Sequence, residues 1–198
     1  SRMVDPLVGT RAGMLLGYSM DMSQDGSKLL VGAPGDGNGD GSIFYYEWTG
    51  SAWIEIFTLQ GSTGLKEGLG TSVAILSDEL IAFGAPGHDV DKGEIIIYEL
   101  TGENPLSFQK VIDIVGSSGE SVGSIMCGAN GRVAYGTSNS FHVFGHDGTS
   151  WAEIPPTGGP AINSPISSIS LSEDGTTLAL GLATEDVFLY ELTLKGVD

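Results

Sequence analysis

Four short apolar phrases, each closed by a glycine and flanked by further strand-like segments, predict an all-β chain built as a β-propeller. The closing glycines are Gly32, Gly84, Gly136 and Gly181, spaced 52, 52 and 45 residues apart. A period near fifty residues made of short strands is the signature of propeller blades. Composition agrees, with 31 glycines and only 8 Lys+Arg in 198 residues describing a turn-rich chain. No stretch approaches the roughly 20 apolar residues that a membrane helix needs. The length suits a single domain over 1–198.

Each unit reads as four short strands, a to d. Unit one has strand a at 17–23, a turn at Gln24-Asp25-Gly26, strand b at 28–33, strand c at 42–48 and strand d at 53–59. Gly, Asp and Asn at the joints supply the positive φ that tight hairpins require. Unit two runs 70–76, 80–85, 94–100 and 108–115, and unit three runs 123–128, 132–137, 141–146 and 151–154. Unit four has 166–172, 177–182 and 187–192, after which little chain remains. The repeats therefore span about 14–61, 66–116, 120–158 and 163–198 plus 1–9. Residues 2–9 align with 109–116, so the N-terminal strand is expected to pair with 187–192. That pairing closes the last of four blades of four antiparallel strands and leaves no open sheet edge. The alternative is a stretch of a longer propeller, because Ser1 stands where Trp53, Phe108 and Trp151 stand in the other units.

Alternation separates core from surface. In strand a, Met20, Val73, Ile125 and Ile169 form one column, and Met22, Ile75, Cys127 and Leu171 another. Ser19, Ser72, Ser124 and Ser168 recur between them. Strand c carries Phe44, Ile96, His142 and Phe188, then Tyr46, Tyr98, Phe144 and Tyr190. Such period-two columns fit sheets packed face to face. Within them Cys127 reads as an inert buried thiol and His142 as a packed ring.

Two phrases carry a family likeness. Leu16-Gly17-Tyr18-Ser19-Met20 is followed by Leu30-Val31-Gly32-Ala33-Pro34, and Gly68-Leu69-Gly70-Thr71-Ser72-Val73 by Phe83-Gly84-Ala85-Pro86. These resemble FG-GAP repeats, the units of integrin α-chain propellers and of many secreted or surface proteins. The resemblance implies a non-enzymatic propeller that binds a ligand or protein, at an extracellular or cell-surface location, or alternatively in an organelle lumen. Integrin rings have seven blades, and this family's calcium loops lie between strands a and b. Here those joints are the short turns at Gln24, Ser77, Asn130 and Glu173.

Charge narrows the partners. A net charge of −17 excludes the cation-driven binding that nucleic acid requires and disfavours anionic membranes. No histidine–carboxylate pair accompanies the serine column at comparable positions, so no enzyme is expected. The b–c and d–a loops are longer than the opposite turns, and long loops on a rigid scaffold are where recognition concentrates. The expected partner-binding residues are Asp36, Asp40, Lys66, Glu67, His88, Asp89, Asp91 and Glu120, and the expected partner is another protein. No cofactor is expected, with calcium as the alternative on Asp36, Asn38 and Asp40. Those three, with Glu47, satisfy an EF-hand pattern, but a strand over 42–47 puts Glu47 about 20 Å from Gly41 at ~3.3 Å per residue. Calcium-aided carbohydrate binding is the alternative function, with Trp48, Trp53 and Trp151 available to stack on sugars.

Overall fold

The computed structural model describes residues 6–102, 107–146, 150–155, 162 and 164–192. Each sequence unit forms its own antiparallel sheet, in simple up-and-down order. The first holds β1 (Ser19–Met22), β2 (Lys28–Ala33), β3 (Ser42–Trp48) and β4 (Trp53–Gln60). The second holds β5 (Val73–Ile75), β6 (Leu80–Ala85), β7 (Glu94–Thr101) and β8 (Ser107–Val115). The third holds β9 (Ile125–Ala129), β10 (Arg132–Gly136), β11 (Phe141–His146) and β12 (Trp151–Glu153). The fourth holds β13 (Ile166–Leu171), β14 (Thr177–Leu182) and β15 (Val187–Glu191). The arrangement is propeller-like, with strands a innermost and their turns converging at one end.

The expected closing strand departs from this picture. Residues 6–9 belong to no sheet, and the rest of that segment lies outside the described residues. Among the described residues the fourth sheet has three strands, not four.

Three apolar seams join consecutive sheets. Leu30, Ile43 and Tyr45 of unit one pack on Val73, Ile81 and Phe83 of unit two. Ala82, Ile95 and Ile97 of unit two meet Met126, Val133 and Tyr135 of unit three. Ala134 and Val143 of unit three meet Leu178, Leu180 and Tyr190 of unit four. The repeated glycine is explained at the first two seams. A Cβ on Gly32 would strike the Gly70 carbonyl, and one on Gly84 would strike that of Gly123. The serine column supplies the matching staple: Ser19 Oγ donates to Gly70 O at 2.8 Å and Ser72 Oγ to Gly123 O at 2.6 Å.

Unit three breaks the expected columns. Ile125 pairs with Gly136, the place Ser19 takes opposite Gly32. Met126 therefore stands in the Met20 and Val73 column, and Cys127 pairs with Ala134 on the face turned to unit four. The cause is the turn. Ala129 pairs with Arg132, leaving Asn130-Gly131 as a two-residue loop with φ of 49° and 69°. A two-residue turn with both φ positive sets hairpin register, and a one-residue slip moves every side chain to the other face. Ser124 leaves the staple accordingly and bonds locally to Ser121 O at 2.7 Å. Burial still pushes the Cys127 thiol up to about 12, so it stays an unreactive thiol.

Candidate functional site

At the long-loop end, β2 and β6 each lead into a tight turn, α1 (Asp36–Gly39) and α2 (His88–Asp91). Both carry left-handed residues at their centre: Gly37 and Asn38 in the first, Asp89 and Val90 in the second. The sequence-selected side chains here are largely spent on holding loops. Asp36 is only 2% exposed, and its Oδ2 accepts from Arg11 Nη2 and Ser42 Oγ, each at 2.8 Å. Asp40 accepts from the Gly64 amide at 2.9 Å and the Lys66 amide at 3.0 Å, which holds its carboxyl below the usual range. Glu120 accepts from the Ser117 amide at 2.6 Å. Asp89 pairs with Lys92 at 2.5 Å, and Asp91 stands exposed with φ of 64°.

The structure brings Glu67 and His88 together. His88 Nδ1 lies 2.8 Å from Glu67 Oε1 and 3.4 Å from Glu94 Oε2, where burial pushes the Glu94 carboxyl up. His88 holds the place of Asp36 one repeat later, and Glu94 that of Ser42, so the same loop is fastened with the carboxylates supplied by the opposite partners. Asp36, Asn38 and Asp40 are not brought to a common point. Asp36 turns inward to Arg11, Asp40 turns to the 64–66 amides, and Asn38 is exposed. Among the described residues no group of three or more His, Cys, Asp or Glu is placed to hold a metal.

One network escaped the sequence reading. Ser140 Oγ lies 3.1 Å from His142 Nε2, and His142 Nδ1 lies 2.6 Å from Glu153 Oε1. The connectivity is that of a serine–histidine–carboxylate relay, yet the Ser140 amide is engaged by Thr137 Oγ1 at 3.1 Å. The N–H that would stabilise an oxyanion is therefore occupied. The ring also stacks on Tyr135 at 5.1 Å, as the strand c column requires. The signal that could have exposed the network is the i, i+2 spacing of Ser140 and His142 on one face of β11 and its lead-in.

At the opposite, short-turn end all four units converge on one cleft of about 1130 Å³. Its walls are Asp21 to Gln24, Ile75 to Asp78, Gly128 to Asn130 and Leu171 to Asp174. Two of these turns are built alike. Asp25 accepts from Ser23 Oγ at 2.7 Å and the Ser27 amide at 2.9 Å; Asp174 accepts from Ser172 Oγ at 2.6 Å and the Thr176 amide at 3.0 Å. These hydrogen bonds draw both carboxyls down to about 2. Asp21 reaches across to the Ile75 amide at 2.7 Å, while burial pushes its own carboxyl up. Lys28 Nζ bonds Asp78 at 3.1 Å, Asn130 donates to Asp174 O at 2.8 Å, and Gln24 donates to Glu173. The turns thus tie into a rim that carries Asp21, Asp78, Glu173 and Asp174 around one opening. Sequence reasoning passed over this end because each turn is short taken singly, and only their convergence makes a site.

The tryptophans pack rather than present flat faces. Trp48 and Trp53 contact one another with ring centroids 5.5 Å apart, and Trp151 packs against the unit two–three core with its Nε1 buried.

No family model matches the chain, and no curated protein matches it. Among solved structures it is similar to Sqt1 from Chaetomium thermophilum, at 14% identity and a TM-score of 0.61. The likeness covers 91% of this chain and 44% of that one, so the chain spans less than half the length of that structure. No helix among the described residues is long and apolar enough to cross a membrane. At this identity the likeness concerns fold alone, and it supports a propeller-like arrangement of antiparallel sheets.

Proposed function

We propose that this chain is a non-catalytic protein-interaction module whose short-turn end receives a basic segment of a partner protein. The observation that carries the reading is the cleft in which the a–b turns of all four units meet, lined by Asp21, Asp78, Glu173 and Asp174. A concave opening rimmed by one sign of charge focuses potential and attracts the opposite charge. The overall charge of −17 acts in the same direction. The likeness of the first two units to FG-GAP repeats favours a binding role, and the reading needs no cofactor. The long-loop end fits a supporting role better, because Asp36, Asp40 and Glu67 are buried against its own loops whereas Asp78, Glu173 and Asp174 at the cleft are exposed.

The test is calorimetric titration of the full chain with a lysine- and arginine-rich peptide and with its glutamate-substituted counterpart. Binding of the basic peptide alone, weakening as salt is added, is the expected result. Asp78→Asn with Glu173→Gln should lower that affinity about tenfold. Equal affinity in the variant moves the contact away from the cleft, and no binding of either peptide overturns the reading.

A further inference from the structure

The internal seams follow one rule: one face of each sheet is covered by the opposite face of the next. On strand c the covered pair is Ile43 and Tyr45 in unit one, Ile95 and Ile97 in unit two, and Phe141 and Val143 in unit three. Val187 and Leu189 occupy the same register in unit four, opposite Gly181 and Ala179. In the first three units these pairs are buried or nearly so; in unit four they stand 71% and 70% exposed. The reciprocal face shows the complementary lack. Met20 and Met22 hold the register that is buried under the preceding sheet at Val73 and Met126, yet they are 64% and 51% exposed.

Both halves of one further seam therefore exist on this chain and do not cover each other. Among the described residues, units one and four meet at their turn tips through Gln24 and Glu173, two exposed side chains, and both apolar faces stay in water. We propose that the face bearing Met20 and Met22 docks on the face bearing Val187 and Leu189 of a second copy of this chain. The occupant follows from continuity with the three seams already formed, since each of those is the same two faces brought together. A second copy carries the matching face in the matching register. The contact is head-to-tail, so two copies that each give one face to the other close a ring.

Electrostatics adds a directional consequence. Each copy carries −17, so copies repel at low salt and apolar docking strengthens as salt screens that repulsion. Binding of a basic peptide at the cleft changes with salt in the opposite sense, so the two proposals fail independently.

The experiment is sedimentation equilibrium of the full chain from micromolar to near-millimolar concentration, at low and high salt. A species of twice the monomer mass that grows with salt is expected. Met20→Asp with Met22→Asp, and separately Val187→Asp with Leu189→Asp, should each be monomeric while keeping the parent melting transition, because all four side chains are exposed. An equimolar mixture of the two variants retains one intact pair of faces and should recover the double mass, which general hydrophobic clumping would not do. A monomer throughout the concentration range overturns the proposal, as does association that survives in either variant or a mixture that stays monomeric.

Discussion

At the seams joining units one, two and three a glycine is pressed against the next unit's backbone carbonyl, whereas at the seam between units three and four the equivalent Gly136 meets the Ile166 side chain. At the first, Gly68 and Leu69 donate amides to Gly39 O and Asp40 O at 2.9 and 3.1 Å; at the second, Ser121 and Val122 donate to Asp91 O and Lys92 O at 3.0 Å. At the third, the side chains of Asn130 and Arg132 donate to the Asp174 and Gly175 carbonyls. Backbone fastening demands particular residues, because amide and carbonyl meet only where no Cβ intervenes. Side-chain packing demands only apolar volume. That difference accounts for the strong sequence repetition of the first half and its loss in the second.

The largest contrast should come from adding one methyl group at equivalent glycines. Gly32→Ala and Gly84→Ala place a Cβ against backbone carbonyls that cannot rotate away. Each should cost over about 4 kcal/mol in chemical denaturation, enough to prevent folding of a marginal domain. Gly136→Ala, at the third seam, meets the Ile125 and Ile166 side chains at 3.0 Å, which can shift, and should cost about 2 kcal/mol. Equal losses at all three sites would erase the distinction between the seams.

Removing packing should expose the third seam next. Leu180 is fully buried between units three and four, and Leu180→Ala should cost about 3 kcal/mol. Hydrogen exchange in that variant should show β13 to β15 opening before β1 to β8, since the lost packing lies at that unit's seam. Uniform exchange across the four sheets would refute the weaker seam.

The serine staple offers a finer test. Ser72→Ala leaves the buried Gly123 carbonyl short of one donor and should cost about 1 kcal/mol, with Ser19→Ala close behind. Ser124→Ala removes an exposed local bond and should change the melting transition little. A loss at Ser124 equal to that at Ser72 would show that unit three keeps the staple by another route.

The smallest effect concerns the one device that units one and four share. Asp25 and Asp174 have folded-state carboxyls near 2, below the ordinary value of about 3.9. A depressed carboxyl contributes stability that is present above the unfolded pKa and lost as pH falls through the folded one. Melting temperature should therefore drop between pH 4 and about 2, and Asp25→Asn with Asp174→Asn should flatten that drop. Asp21 acts in the opposite sense, its raised carboxyl favouring the folded state on the acid side.

Strand positions were legible because alternation and turn residues are local signals. The expected 28–33, 42–48, 80–85 and 177–182 coincide with β2, β3, β6 and β14. The place of His142 in the column of Phe44, Ile96 and Phe188 was legible for the same reason. The place of Cys127 was not, since a two-residue turn at Asn130-Gly131 moved β9 by one register and no periodicity within β9 records that. Nor was the employment of Asp36 and Asp40, whose partners Arg11 and Gly64 lie 25 and 24 residues away.

By itself the sequence determined which residues become strands, where the chain turns, and that the pattern recurs four times, because propensity and period act over a few neighbours. Only the tertiary structure decided which carboxylates remain available, which apolar faces stay uncovered, and that four unremarkable turns share one opening. Those outcomes depend on how distant segments meet, and the energy of such meetings is written in no single stretch of chain.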